Sequence, residues 1–431
     1  MYAVVQHLEE YIARLRESCA SMLDKRNGAN SHYSMKDIGM AAFSMFFMQH
    51  PSFLAFQRML HENIGRDNTQ TLFGMEKIPS DNHIRKMLDG VPTEHFEADF
   101  FFIIDNLASS KAHVVRNVLG GHTLIALDGS EYYCSKKLFC PSCSRRKRSD
   151  GSEEYFHAFL GATIVQPGDQ KVFCLPPEFI QPQDGEKKQD CELKAAQRWF
   201  ERTAPHCEKY NPVYLGDDLY AKHDFCSIIL QQGGNFIFTC KDTSHKTLHE
   251  FRKGLTPSNH IEISGKGSQK REYHYSWLDS LPIRDGADAL PVNWFDVTII
   301  NPKGKATYHS SFITNLPIGK KNISELVSCA RARWKIENET FNVLKNNGYH
   351  LEHNFGHGQQ TLSALLVVLN LLAFTMHNAC DAVEALWQQA RAVCMARNRL
   401  FIHLWTISTY HVFLTWSLLM KTIITARPPP A

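Results

Sequence analysis

Three acidic residues stand where they could do chemistry. Asp128 follows an apolar run within HTLIALDGSEY (His122–Tyr132), and Asp217 follows another, PVYLG (Pro212–Gly216). Glu337 lies far downstream in NISELVSCARARWKIENETFNVLKNN (Asn322–Asn347). Acids at the carboxyl ends of strands sit on the sheet edge where ligands bind. Carboxylates are hard oxygen donors suited to Mg²⁺. Two such ions about 4 Å apart can activate an attacking oxygen and stabilise a leaving one during in-line displacement at phosphorus. Each acid alone has a plainer reading. Asp128-Gly129 is an ordinary turn pair, and Glu337, among Arg331, Arg333, Lys335 and Lys345, could belong to a surface i,i+4 ion pair. Together the three point to metal-dependent work on a phosphodiester.

A second group lies in CSKKLFCPSC (Cys134–Cys143). Cys134, Cys140 and Cys143, with His157 fourteen residues beyond, form a candidate Cys₃His zinc site; the alternative is a reduced pair in a loop. The surrounding loop, residues 134–157, carries Lys136, Lys137, Arg145, Arg146, Lys147 and Arg148. Such a run could neutralise DNA phosphates or simply be a solvated loop. His350, His353 and His357 with Glu352 could suggest another metal site, but Gly356 and Gly358 break helical spacing, so a structured loop is expected.

The positioning elements follow from periodicity. Asn322–Asn347 reads as one helix, with Asn322 or Ser324 as N-cap, Gly348 past its end, and Leu326, Ala330, Trp334, Phe341 and Leu344 near one buried stripe. Strands are expected at His122–Tyr132, His157–Val165, Lys171–Leu175, Pro212–Gly216 and Asn235–Cys240, with helices at Asp190–Glu208 and Tyr220–Gln232. Lys241–Lys320 reads as a β-rich insertion, with turns at Gly265–Gly267 and Pro302–Gly304 and with Trp277 and Trp294 as core residues. Three consecutive strands followed by alternation predict a mixed α/β sheet, and the element order is analogous to a ribonuclease H-like core. The expected division is 1–115 helical, 120–240 first part of the core, 241–320 insertion, 321–360 second part of the core, and 361–431 helical. In the first region, Met1–Met22 and Ser34–His50 read as helices. Pro79–Pro92 reads as a short capped helix whose Arg85 and Lys86 either touch DNA or serve packing.

LIALDGS (Leu124–Ser130), YLGDDLY (Tyr214–Tyr220) and RWKIENETFNVLK (Arg333–Lys345) resemble the three acidic motifs of IS4-type DDE transposases, over roughly residues 120–360. The third is the most specific, with Arg333 four residues before Glu337. This chain departs from the pattern in having Ala330 in place of a Tyr, and in placing Leu344 at the family lysine position with Lys345 one further on. Asp217 is preferred to Asp218 because it lies three residues before Tyr220, as in the family; Glu339 is the fallback for Glu337. The resemblance implies a transposase of a bacterial-type insertion sequence, with Asp128, Asp217 and Glu337 holding Mg²⁺ or Mn²⁺ and Arg333 and Lys345 bracing phosphates. It implies double-stranded DNA partners, namely terminal inverted repeats and a target, and a homodimer on DNA. The rivals are a DNA-binding derivative without catalysis, which the three acids argue against, and a nuclease that only hydrolyses.

The totals fit this reading. The chain has 431 residues, is 43% hydrophobic and carries a net charge of +3, an ordinary globular balance that neither demands nor excludes nucleic acid. The charged amphipathic start is unlike a secretory signal, so the twelve cysteines are expected reduced in a cytoplasmic, nucleoid-associated protein. Leu362–Cys380 is long enough to span a bilayer, but its polar interruptions predict a buried helix and no membrane role.

Overall fold

The computed structural model describes residues 7–26, 32–61, 63–110, 112, 114–182 and 190–426, with the backbone alone at 55, 59–61 and 63–66. The first six residues of the expected N-terminal helix and the Pro-rich end lie outside the described residues.

Eleven strands form one mixed sheet. They are β1 (Thr123–Ser135), β2 (Ser144–Lys147), β3 (Glu153–Val165), β4 (Phe173–Cys174), β5 (Glu178–Ile180), β6 (Pro212–Gly216), β7 (Asn235–Thr239), β8 (Ser258–Ser264), β9 (Arg271–Pro282), β10 (Pro291–Ile300) and β11 (Ala306–Thr314). β1 and β3 are antiparallel, β4 and β5 line the far edge of β3, and β6 and β7 run parallel to β1. The order β4/β5–β3–β1–β6–β7, with helices Glu192–Arg202 and His223–Gln231 in the later connections, is ribonuclease H-like. The segment expected as an insertion continues this sheet: β11 pairs antiparallel with β7, and β10, β9 and β8 follow outward. Trp277 and Trp294 are both buried within it.

Two local expectations are corrected. β1 does not stop near Asp128; it continues to Ser135 because its antiparallel pairing with β3 persists after the parallel pairing with β6 has ended at Ala126–Leu215. Asp190–Glu208 is not one helix either. It is Glu192–Arg202 followed by a short Ala204–Cys207 turn with Pro205 at its start, where proline is tolerated.

The expected single helix at Asn322–Asn347 is also interrupted. A helix at Ile323–Arg331 gives way to a turn, then to a π-helical segment at Ile336–Phe341 and a last α-helical stretch at Asn342–Asn346. Within the π segment the Asn342 N–H donates to the Glu337 carbonyl, five residues back. π turns are rare and cluster at functional sites. This one packs over β1 and β3, with the Phe341 ring edge-on to Phe159 at 5.8 Å.

The N- and C-terminal helices share one layer. Leu362–Val383 is buried, as expected of its polar interruptions, and meets the sheet through Asn378, whose Nδ2 donates to the Val172 carbonyl at 2.7 Å. Met35–Phe47 packs on it, and Asn68 Nδ2 donates to Ser408 and His411 carbonyls at 2.7 and 2.8 Å. The Asp81–Leu88 helix is capped by Ser80; its Lys86 is exposed and its Arg85 half-buried. Arg85 Nε donates to the Phe355 carbonyl at 2.8 Å and its Nη1 pairs with Asp81 at 3.2 Å. Asp89 accepts from the backbone N–H groups of Gln359, Gln360, Thr361 and Leu362 at 2.8–3.1 Å, closing the N-terminus of the long helix from another part of the chain.

Gly161, opposite Asp128 in the β1–β3 register, leaves room for the π segment: a Cβ there would lie 2.8 Å from the Phe341 ring. Gly161→Ala is therefore expected to cost about 1–3 kcal/mol through overpacking. Adding Phe341→Leu should recover part of that loss, as read by denaturant midpoints of the two single variants and the double.

Candidate active site

Asp128 and Asp217 are brought together by strand register. β1 and β6 pair in parallel from Thr123–Pro212 to Ala126–Leu215, so continuing by two residues sets Asp217 beside Asp128 on the same face. β6 ends at Gly216, and the Asp217 Oδ1 accepts from the Leu219 N–H at 2.8 Å. β1 and β6 part after Ala126 and Leu215, and the crevice outside the carboxyl ends of such strands is the position that binds ligands in open α/β sheets.

Glu337 enters from the π segment. Arg333 Nη1 contacts Glu337 Oε1 at 2.8 Å and Asp128 Oδ2 at 3.8 Å, so those oxygens are separated by at most the sum of these distances. Arg333 is 12% exposed, Asp128 20% and Glu337 39%, so the guanidinium is the most enclosed of the three groups.

A fourth carboxylate, Glu192, completes the group and was not anticipated. It lies in the first turn of the Glu192–Arg202 helix. Tyr220 Oη donates to its Oε1 at 2.6 Å, and Gly129 allows its approach: a Cβ on Gly129 would fall 2.3 Å from Glu192 Oε2. An acid in a first helical turn is too common to stand out in a sequence. The available signal was Tyr220, already part of the second motif, since a buried tyrosine hydroxyl needs a partner.

The electrostatics report the crowding. Burial, then the neighbouring Glu192, push the Asp128 carboxyl up to about 7; Arg333 opposes this, while Glu337 and Asp217 add to it. Glu192 is raised by burial and by Asp217, against the hydrogen bonds from Tyr220 and Gly129. Asp128 and Glu337 share one guanidinium, and among the described residues no three carboxylates place oxygens within 4.8 Å of one another. This hard-oxygen donor set, with excess negative charge and a single facing arginine, fits a divalent cation such as Mg²⁺.

Neither fallback residue joins the group. Asp218 Oδ1 accepts from the Lys241 N–H at 2.7 Å and pairs with His245 Nε2 at 3.1 Å. Glu339 lines a separate cleft with Arg391 and Arg397. Lys345 Nζ pairs with Glu352 at 2.9 Å. The π segment adds one residue to the helix, so Lys345 at eight residues after Glu337 takes the face that the seventh would occupy in a regular helix. Leu344 is accordingly fully buried and Lys345 is partly exposed. Trp334, expected in the buried stripe, is 55% exposed. The break after Arg331 rotates it outward, onto a groove of about 850 Å³ shared with Arg331, Lys335, Tyr273, Tyr275 and Tyr308.

The basic run is partly self-neutralised. Arg146 pairs with Glu131 and with nearly buried Glu154, Arg148 also pairs with Glu154, and Lys136 lies 3.8 Å from Asp150. Arg145 stacks over Tyr155, and Lys137 and Lys147 are exposed. In the cysteine cluster, Cys140, Cys143 and His157 come together, but Cys134 does not join them. It is exposed, beside Arg146 Nη2 at 3.8 Å, because successive strand residues face opposite ways and Tyr133 takes the inward place. His357 supplies the fourth donor instead.

Asp128 yields a pH prediction. The native chain holds this proton to about 7, whereas the unfolded chain releases it near 3.8. The native state therefore binds more protons between those values, and its stability falls as pH rises through that window. Without added divalent ions, melting temperature should drop from pH 5 to pH 8. Asp128→Asn should flatten the slope and exceed the parent at pH 8; an unchanged slope in thermal scans would count against this crowding.

No family model matches the sequence, and no curated protein matches it. Among solved structures, the chain is similar to the cryo-EM structure of a piggyBac transposase synaptic complex with hairpin DNA, with a TM-score of 0.40 and 9% sequence identity, covering 99% of this chain and 81% of that one.

Proposed function

We propose that this chain is a DDE transposase that cuts DNA at the ends of a mobile element and joins them to a target. The observation that carries the reading is that Arg333 joins Asp128 of β1 to Glu337 of the distant π turn, while Asp217, just past the parallel neighbour β6, lies close enough to raise the Asp128 carboxyl. Divalent ions held by these carboxylates would supply Lewis acidity to the attacking and leaving oxygens of a phosphodiester. The chain's own residues do the rest. Asp128 would give up its proton to solvent with a cation held there, and Arg333 would then be free to meet a phosphate oxygen. Glu192, fixed by Tyr220, adds negative charge at the floor, and Lys345 exchanges its surface partner Glu352 for the DNA backbone at small cost.

The groove beside the crevice supports a nucleic-acid partner. Exposed Trp334 and three tyrosines interleave with Arg331 and Lys335, the mixture that stacks bases and tracks phosphates. Of the basic loop, Lys137 and Lys147 are the better candidates for phosphate contact, since Arg146 and Arg148 are held by Glu131 and Glu154. Origin in a bacterial-type insertion sequence, assembly as a homodimer on paired ends, and a cytoplasmic, nucleoid-associated setting belong to the same proposal.

Cleavage of DNA bearing the element's terminal repeats, with Mg²⁺, tests the reading. Asp128→Ala and Glu337→Ala should each lower cutting by roughly 10³-fold or more, because acids that act as a unit fail as a unit. Glu339→Gln should stay within about threefold, as expected of a group outside the crevice. Undiminished cutting by either alanine variant, with its fold intact, would remove the assignment.

A further inference from the structure

Away from the acidic crevice, two thiols and two imidazoles meet in a mostly buried cluster. Cys140 and Cys143 lie in the β1–β2 connection, His157 is on β3, and His357 is in the loop that follows the Glu337 helix. The Sγ atoms are 3.8 Å apart, too far for a disulfide. His157 Nε2 is 3.4 Å from each sulfur, and His357 Nε2 is 3.6 Å from Cys143 Sγ. All four ligand atoms lie within 4.8 Å of one another.

These spacings are those of a tetrahedron about a metal. With Zn–S near 2.3 Å and Zn–N near 2.05 Å, its edges are about 3.8 Å for S···S and about 3.5 Å for S···N. The Cys140-Pro141-Ser142-Cys143 turn is shaped for it: the Cys143 N–H donates to the Cys140 carbonyl at 3.1 Å, and the Cys140 N–H points to Cys143 Sγ at 3.3 Å. A backbone N–H aimed at a ligating sulfur is the outer-shell support that metal thiolates use. Tyr132 and Tyr133 flank the imidazoles, at 5.5 Å from His157 and 4.6 Å from His357. Thiolate with imidazole in a closed, four-donor set selects Zn²⁺ over the hard cations that suit the carboxylates.

We infer that Cys140, Cys143, His157 and His357 hold a structural Zn²⁺ that clamps the loop after the Glu337 helix onto the hairpin carrying Asp128. Cys143 and His357 are 214 residues apart, so the ion closes a very long loop. His357 lies between two other anchors of the same segment, the Phe355 carbonyl held by Arg85 and the Asp89 carboxylate at residues 359–362. The clamp thus fixes the exit of the helix that presents Glu337, and it does so from the strand pair that presents Asp128. It is a positioning device; none of its ligands lies in the crevice.

The test uses the untagged full chain and needs no DNA, so its outcome is independent of the transposase reading. Elemental analysis after growth with zinc should give one Zn²⁺ per chain in the parent and in Cys134→Ser. Cys143→Ser and His357→Ala should retain less than about a tenth of that. Co²⁺ substitution in the parent should give tetrahedral d–d bands and a thiolate charge-transfer band, which keeps the inference testable if a variant fails to fold. Removing the ion should raise hydrogen exchange in residues 136–147 and 348–358 well before the helices of residues 7–109. A parent without zinc or Co²⁺ uptake, loss of zinc in Cys134→Ser with retention in His357→Ala, or unchanged exchange on metal removal would each overturn the inference.

Discussion

The structure depends on holding like charges close together in a place where water cannot screen them well. Asp128 and Glu337 share the Arg333 guanidinium, and burial, then Glu192, with Glu337 and Asp217 adding to it against Arg333, drive Asp128 up to about 7. No flexible arrangement would keep such a group assembled, because repulsion between carboxylates would spread it. Each acid is instead mounted on something stiff: a continuing strand, the first residue after a strand end, a helix start locked by a tyrosine hydroxyl, and a π turn packed on the sheet.

The scaffold explains why the helical layers are where they are. The π segment rests on β1 and β3 through Phe341, and the chain beyond it is fastened at once. Arg85 takes the Phe355 carbonyl, Asp89 gathers four N–H groups at residues 359–362, and the buried Leu362–Val383 helix then joins the N- and C-terminal helices into one layer. Residues that might have reached for DNA, such as Arg85, are committed to this fastening. The same holds for much of the basic loop, where Glu131 and Glu154 have already claimed Arg146 and Arg148. Arg331 and Lys335, by contrast, lie beside aromatic rings on the groove next to the crevice.

Two donor chemistries are kept apart in space. Hard carboxylate oxygens lie at the crevice, and soft sulfur with imidazole nitrogen lies at the far end of the β1–β3 pair. The separation is built into β1 itself: Asp128 sits where the parallel neighbour has just ended, and the cysteine loop begins where the antiparallel pairing finally ends near Ser135.

Much of this was legible in the residues. PVYLG is a strand with the expected bounds, because a short apolar run flanked by Pro and acids has few alternatives, and the mixed sheet follows from three strands before the alternation begins. Asp128, Asp217, Glu337 and Arg333 are candidates on sequence because each stands at the end of, or beside, an apolar element. Other features only the tertiary structure decided. The break after Arg331 and the π turn leave no mark in periodicity, yet the first turns Trp334 to solvent and the second carries Lys345 to the face of Glu337. Glu192 and His357 come from parts of the chain distant from their partners, and Cys134 was displaced from its expected cluster by the alternation of β1. The physical reason is the same in each case: spacing along a chain encodes local conformation, while the identity of a fourth ligand or a fourth acid depends on which distant segment packing brings alongside.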